Sequence, residues 1–322
     1  MRLRLSAAFF CWVRGERVRY PPTGPLRRAR GSRQPRCLAR GARIAVPGLG
    51  PGHRERIVWH EGTVRTTTIS LVYVHGFSAS RQEIAPLPER LAESLGANLL
   101  ETRLSGHGLG GSALAEATTA DWIRDYREAL EIGARIGRSV VLLAVSTGAT
   151  LDAVASLARS SSPVEARIWI SPNFGAMARS AELLTFPWAR SFVPVIAGSV
   201  RTWEPVNPLQ GKYWTTSYPI EALFPMQALV KEAREGALEK LREPMILLYS
   251  EDDTTLRPEL IRDAYGRVGA RVKDVEVYKD APDPHVLAGD ILAPSHTSKV
   301  ASRILSFLRR PAVLGARIGS RP

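Results

Sequence analysis

Beyond residue 45 this 322-residue chain has no cysteine; Cys11 and Cys37 both precede that point. No disulfide framework and no cysteine-based metal site is therefore available to the body of the protein. Runs of about 18 apolar residues, the length that spans a bilayer, are also missing, so no transmembrane helix is expected. Acidic residues are nearly absent from residues 1–45, where twelve arginines stand against Glu16 alone. The whole chain carries 44 basic and 31 acidic residues, a net charge of +13, yet residues 46–322 hold 32 and 30 of them. The basic excess belongs to the first segment, and no nucleic-acid partner is expected for the body.

Residues 1–45 also lack hydrophobic periodicity and contain Pro21, Pro22, Pro25 and Pro35. They are expected to form a basic, largely disordered tail. Ala7–Val13 is a short apolar run after Arg2 and Arg4, too short to span a bilayer and without a small-x-small cleavage site behind it. It leaves three readings open: a truncated signal, a membrane-associating segment, or residues added by an upstream start. The body is expected to be cytoplasmic, with the tail leaving export or membrane association open.

What is present is an alternation of strand and helix patterns. Strand patterns lie in 53–60, 66–74, 98–104, 140–145, 166–170, 244–249 and 272–278, and helix patterns in 81–95, 119–136, 147–158, 258–268 and 298–309. Continuous apolar strands between amphipathic helices predict an α/β fold with a mostly parallel central sheet covered by helices on both faces. Residues 175–242 interrupt the rhythm with eight of the chain's 23 aromatics, prolines and short helical pieces such as 221–234. They are expected to form a cap or lid insertion that contributes to a substrate pocket; a helical subdomain with its own core is the plainer alternative. The expected division is a tail (1–45), a core (46–174 and 243–310), the insertion (175–242) and a C-terminal tail (311–322).

The chemistry centres on residues 140–151. An apolar strand runs into Ala144-Val145-Ser146-Thr147-Gly148, and an alanine-rich helical pattern starts at once. A serine at such a strand-to-helix apex is exposed above a buried sheet at a helix N-terminus, where a hydroxyl nucleophile is useful. An ordinary turn capped by Ser146 is the plain alternative, and Ala144 stands where glycine is usual. A nucleophile needs a base, a group that orients the base, and donors for the oxyanion. In an open α/β sheet each partner should follow the carboxyl end of a strand. Acids follow the 244–249 strand in Glu251-Asp252-Asp253; Asp253 is the preferred orienting carboxylate and Asp252 the runner-up. His285, after the last strand, is the histidine that satisfies the order Ser, Asp, His. The oxyanion donors are expected from the backbone amides of Thr147 and Phe77, with Gly76 permitting the turn before Phe77.

Taken in order, HGFSASRQE (75–83), RLSGHG (103–108), AVSTG (144–148), YSEDD (249–253) and PHVLAGD (284–290) resemble the α/β-hydrolase superfamily. Within it the chain is most similar to the carboxylesterase and monoacylglycerol lipase-like group, which also includes serine aminopeptidase-like members. The resemblance covers roughly residues 54–310. It implies the α/β-hydrolase fold with a helical cap, and places the nucleophile on Ser146, the acid on Asp253, the histidine on His285 and the oxyanion amides on Phe77 and Thr147. It also implies that His107, in Gly106-His107-Gly108, borders the site without acting as base, and that Asp290 supports the histidine loop. The chain departs from the pattern at Ala144 and at Thr254-Thr255-Leu256 after the acid.

The expected function is hydrolysis of carboxylic esters, carboxylesterase- or monoacylglycerol lipase-like, through an acyl-enzyme on Ser146. No metal and no organic cofactor is expected, and the expected partner is a small ester with a hydrophobic acyl group. Two alternatives stay open: the same triad acting on an amide, peptide, thioester or carbon–carbon bond, and a catalytically silent hydrolase fold that binds a ligand. Oligomeric state and acyl length are not legible.

Overall fold

The computed structural model describes residues 48–157 and 163–315. The expected disordered tail, with its cysteines and the Ala7–Val13 run, lies outside the described residues, as does the C-terminal tail beyond residue 315.

The strands are β1 (Arg56–Val58), β2 (Thr67–Val74), β3 (Asn98–Glu101), β4 (Gly137–Val145), β5 (Val164–Ile170), β6 (Val200–Thr202), β7 (Ser217–Pro219), β8 (Met245–Ser250) and β9 (Lys273–Tyr278). The helices are α1 (Leu87–Leu95), α2 (Gly111–Glu116), α3 (Thr119–Ile136), α4 (Thr147–Leu157), α5 (Ala189–Ala197), α6 (Pro208–Tyr213), α7 (Leu223–Glu235), α8 (Pro258–Arg267) and α9 (Thr297–Leu308). Seven strands form one sheet in the order β1-β3-β2-β4-β5-β8-β9, all parallel except β1, which runs antiparallel to β3.

Successive side chains of a strand leave on opposite faces, and here both faces are apolar. Val72 and Val74, Val140, Leu142 and Ala144, and Leu247 enter one core with Trp122, Tyr126 and Leu130 of α3 and Leu229 of α7. Leu71 and Tyr73, Val141, Leu143 and Val145, and Leu248 enter the other with Leu87 and Leu91 of α1 and Ile304 and Phe307 of α9. This is why the central strands read as unbroken apolar runs. β9, at the sheet edge, alternates exposed and covered residues instead.

α3 spans the predicted residues and starts in a capping box. The Thr118 hydroxyl accepts the Asp121 N–H at 3.2 Å, and the Asp121 carboxylate accepts the Thr118 N–H at 3.1 Å. The helix predicted for 81–95 begins only at Leu87. A helical Pro86 would remove a backbone donor and push its ring against the carbonyl four residues back. The chain therefore turns through 81–86, with the Leu87 N–H on Ile84 O at 2.8 Å. The strand predicted for 98–104 ends at Glu101. The Thr102 N–H still reaches Tyr73 O (3.1 Å), and the chain then leaves the sheet.

Between β5 and β8 the chain forms a 3-10 segment (Arg179–Thr185), α5, the β6–β7 hairpin enclosing α6, and α7. Leu184, Ala189, Val193, Ile220 and Phe224 make a small core of its own, while α7 also joins the main core. The segment reaches the sheet loops at several places, among them Met177 N–H on Thr255 O (2.8 Å) after β8. Thr215 N–H donates to Ser78 O (2.8 Å), and the Asn207 side-chain amide donates to Ile291 O (2.9 Å). Among the described residues no helix is long and apolar enough to cross a membrane.

Candidate active site

β4 ends at Val145 and α4 begins at Thr147, so Ser146 is the whole turn between them. Its φ is +50°, a left-handed conformation that costs a residue with a β-carbon about 1–3 kcal/mol. The flanks hold it there. Ser146 N–H donates to Ile170 O (2.9 Å), and the Ser146 carbonyl accepts from Ala149 (3.0 Å) and Asn173 (3.2 Å). At Gly148 a β-carbon would lie 2.5 Å from Val74 O and 2.7 Å from His75 O. The tight approach of helix to sheet falls at Gly148, whereas Ala144 sits within the apolar core. Ser78, Ser171 and Leu287 also have positive φ. All three lie on loops that follow strands.

His285 sits on the loop between β9 and α9. Asp283 Oδ1 accepts the His285 N–H (2.9 Å) and the Val286 N–H (2.7 Å), fixing the loop's entry. The imidazole bridges two partners: Nδ1 is 2.8 Å from Asp253 Oδ2 and Nε2 is 3.1 Å from Ser146 Oγ. The carboxylate can only accept, so Nδ1 carries the proton and Nε2 is free to take one from the serine hydroxyl. Burial disfavours the imidazolium, but the Asp253 carboxylate, with Asp283 and Glu83 behind it, outweighs burial and raises the His285 pKa above its ordinary 6.5.

The three consecutive acids are separated by the turn after β8. Asp253 is buried, and its Oδ1 accepts the N–H groups of Thr255 (2.7 Å) and Leu256 (2.9 Å), leaving Oδ2 for His285. Asp252 is exposed. Glu251 pairs with Arg262 and accepts from the Tyr249 hydroxyl (2.7 Å). Thr255 holds the acid with its backbone, so the departure from the family pattern in its side chain leaves this geometry intact.

Phe77 follows β2 on the His75-Gly76 loop. Its ring meets Tyr218 edge-on at 5.4 Å and Trp122 at 6.2 Å between centroids. Thr147 opens α4, where the first N–H groups have no carbonyl within the helix. Gly76 is required for space and not for an unusual turn: its φ is outside the left-handed region, and a β-carbon would lie 2.5 Å from Glu83 Oε1 and 3.2 Å from Ser146 Cβ.

His75 and His107 are buried with rings 4.9 Å apart. His75 Nδ1 faces Gly76 O (2.9 Å) and its Nε2 accepts the Leu104 N–H (3.2 Å). His107 Nδ1 faces Ser105 O (3.1 Å) and its Nε2 accepts the Ser78 N–H (3.1 Å). Burial pushes their pKa values down to about 4 and about 3. Both are neutral rings that tie the 75–78 and 103–107 loops together. Neither ring is hydrogen-bonded to Ser146. Asp290 joins the histidine loop through its backbone, donating its N–H to Ala85 O (2.8 Å). His296 is half-buried against Tyr278 at the start of α9.

Two residues beside the site carry no signal that the sequence reading weighted. Asn173, beyond β5, donates from Nδ2 to Thr147 Oγ1 (3.3 Å), while its carbonyl accepts the Thr150 hydroxyl (2.6 Å). Glu83 is buried behind the Phe77 loop; its Oε2 accepts the Gly76 N–H (2.8 Å) and the Tyr73 hydroxyl (3.1 Å). The position of Asn173 after a strand was the available clue; Glu83, directly after Ser80-Arg81-Gln82, offered none. Among the described residues no group of three or more His, Cys, Asp or Glu side chains is arranged to hold a metal ion.

The sequence model of the alpha/beta hydrolase family matches residues 71–293, from β2 to the loop that carries His285. The chain belongs to this family. Its fold is shared by solved structures of low sequence identity. One comes from work on LipS and LipT, two metagenome-derived lipolytic enzymes: TM-score 0.67, 19% identity, covering 81% of this chain and 99% of that one. A soluble variant of the monoglyceride lipase of Saccharomyces cerevisiae gives 0.58 and 11%, covering 80% and 92%. The monoacylglycerol lipase of Paleococcus ferrophilus gives 0.58 and 15%, covering 76% and 96%. No curated protein matches the chain.

Proposed function

We propose that this alpha/beta hydrolase is a serine esterase of the carboxylesterase or monoacylglycerol lipase type. The observation that carries the reading is the imidazole of His285 standing between Ser146 Oγ at 3.1 Å and Asp253 Oδ2 at 2.8 Å. In this reading Ser146 Oγ attacks the ester carbonyl as its proton passes to His285 Nε2. Asp253 holds the ring and stabilises the imidazolium. The backbone N–H groups of Phe77 and Thr147 receive the oxyanion, each worth about 3 kcal/mol in the transition state. His285 returns the proton to the leaving alcohol. Water, activated by the same nitrogen, then releases the acid and frees Ser146.

The lipolytic and monoglyceride-hydrolysing activities in the names of the structural neighbours support an ester as the scissile bond. Residues 175–242 act as the cap in this reading. Tyr218 against Phe77 and Thr215 on Ser78 join it to the oxyanion loop, and its aromatic content suits a small ester with an apolar acyl group.

The test is steady-state hydrolysis of a short p-nitrophenyl ester by the native protein and by Ser146→Ala. The native protein is expected to turn it over, and the variant to lose on the order of 10⁴-fold or more in kcat. Retained turnover in the variant would sink the reading.

A further inference from the structure

Glu83 has no part in the proton transfers described above, yet it stands where two site loops meet. Its Oε2 collects two donors, the Gly76 N–H at 2.8 Å and the Tyr73 hydroxyl at 3.1 Å. Gly76 is the residue before Phe77, so the bond fixes the peptide plane leading to the amide assigned to the oxyanion. There is no slack in this contact: a β-carbon on Gly76 would strike Glu83 Oε1 at 2.5 Å. On the other side, the backbone of 83–85 carries the loop behind His285. Asp290 N–H donates to Ala85 O (2.8 Å), and Gly289 packs on Glu83 O and the Ile84 backbone. Ile84 shares its core with Val286, Leu287 and Ala288 of that same loop.

We propose that Glu83 is a positioning residue for acyl transfer, which sets the oxyanion loop through Gly76 and places a negative charge behind His285. The proposal rests on the serine-esterase reading above. Turn 81–86, which Pro86 keeps out of helix, is the element that aligns the two loops. A buried carboxylate is costly to hold without donors, and the two donors on Oε2 offset that cost. The titratable groups facing it are the Tyr73 hydroxyl from β2, and His285 and Asp283 from the histidine loop. Burial pushes the Glu83 carboxyl up to about 7, with the Gly76 N–H and His285 acting in the opposite direction and Asp283 adding to the rise. In return, Glu83 is among the charges that raise the His285 pKa.

The experiment is the pH dependence of kcat and kcat/KM for the native protein, Glu83→Gln and Glu83→Asp on a short ester, with circular dichroism to verify folding. Glutamine keeps the acceptor for Gly76 but removes the charge. Glu83→Gln is expected to lower kcat several-fold with little change in KM, and to move the acid limb of kcat/KM down by roughly half a pH unit. Glu83→Asp keeps the charge and shortens the reach to Gly76; its limb is expected to stay near native while kcat falls. A residue that only fills space would move neither limb. Native limbs and native kcat in both folded variants overturn the proposal alone. If glutamine fails to fold, a limb in Glu83→Asp displaced downward with kcat unchanged overturns it. A native protein without esterase activity overturns the esterase reading, and this proposal with it.

Discussion

The sheet and the insertion between β5 and β8 use apolar residues in opposite ways. β2, β4, β5 and β8 bury nearly every side chain between two helical layers. Twelve large apolar side chains are exposed among the described residues, and eight of them fall between 177 and 209, including Phe186, Trp188, Val195, Ile196 and Val206. The same polarity is thus spent on rigidity in one region and left on the surface in the other. Ser146, Asp253 and His285 all stand on loops leaving the buried sheet. Spacings of 2.8 and 3.1 Å from the His285 ring to Asp253 and Ser146 demand such a frame. The insertion touches this frame through Phe77, Ser78, Thr255 and Ile291.

Substitutions can break or sharpen this contrast, and the largest effect belongs to the site itself. His285→Ala is expected to lower kcat/KM by on the order of 10⁴-fold or more. The pH profile of the native enzyme adds a sign. His285 must be neutral to accept the serine proton, and its pKa is raised. Activity should therefore be present at high pH and fall through a midpoint above 6.5 as the pH is lowered. An acid limb at or below 6.5 contradicts the electrostatic account of Asp253.

The next effect is on stability. Asp152 of α4 is fully buried; it pairs with the equally buried Arg167 of β5 and accepts from Trp169 Nε1 (2.7 Å) and the Tyr126 hydroxyl (2.5 Å). Removing Asp152 leaves the buried Arg167 guanidinium with only the part-exposed Glu243 (3.2 Å) as an ionic partner and takes the acceptor from Trp169 Nε1, which costs about 3–5 kcal/mol. Asp152→Ala is expected to lose that much in denaturant unfolding. A loss below about 1 kcal/mol would show that the helix behind the serine is held by apolar packing alone.

The smallest effect is expected in the insertion. Val195 and Ile196 are 83% and 64% exposed. Val195→Ser combined with Ile196→Ser should change stability by no more than about 0.5 kcal/mol and leave turnover of a short ester unaltered. A large drop in the unfolding midpoint would mean that this surface is covered, and the contrast between the two regions would fail.

The parts of the fold legible in the sequence are those whose residues sit between two apolar layers or at capped helix ends. β4, α3 and the Ser146 apex were readable because local pattern and tertiary environment agree there. The order of Ser146, Asp253 and His285 was readable because each partner follows a strand. The choice between Asp252 and Asp253 was not settled by sequence, since the backbone donors of Thr255 and Leu256 that select Asp253 exist only in the folded turn. Helix periodicity over 81–95 ran through Pro86 because Ile84 is buried whether its segment is helix or turn. Glu83 was illegible for the same reason: its partners, Gly76 and Tyr73, meet it only once that turn folds back on β2. Asp152 and Arg167 are 15 residues apart in different elements, and no spacing rule links them.

The central claim is that Ser146 is a nucleophile activated by His285. Intact-mass analysis and peptide mapping after treatment with a fluorophosphonate test it most directly. The expected result is a single adduct on the peptide containing Ser146 in the native protein, absent from Ser146→Ala and strongly slowed in His285→Ala. A folded native protein that takes no adduct, or takes it at another residue, would contradict the account.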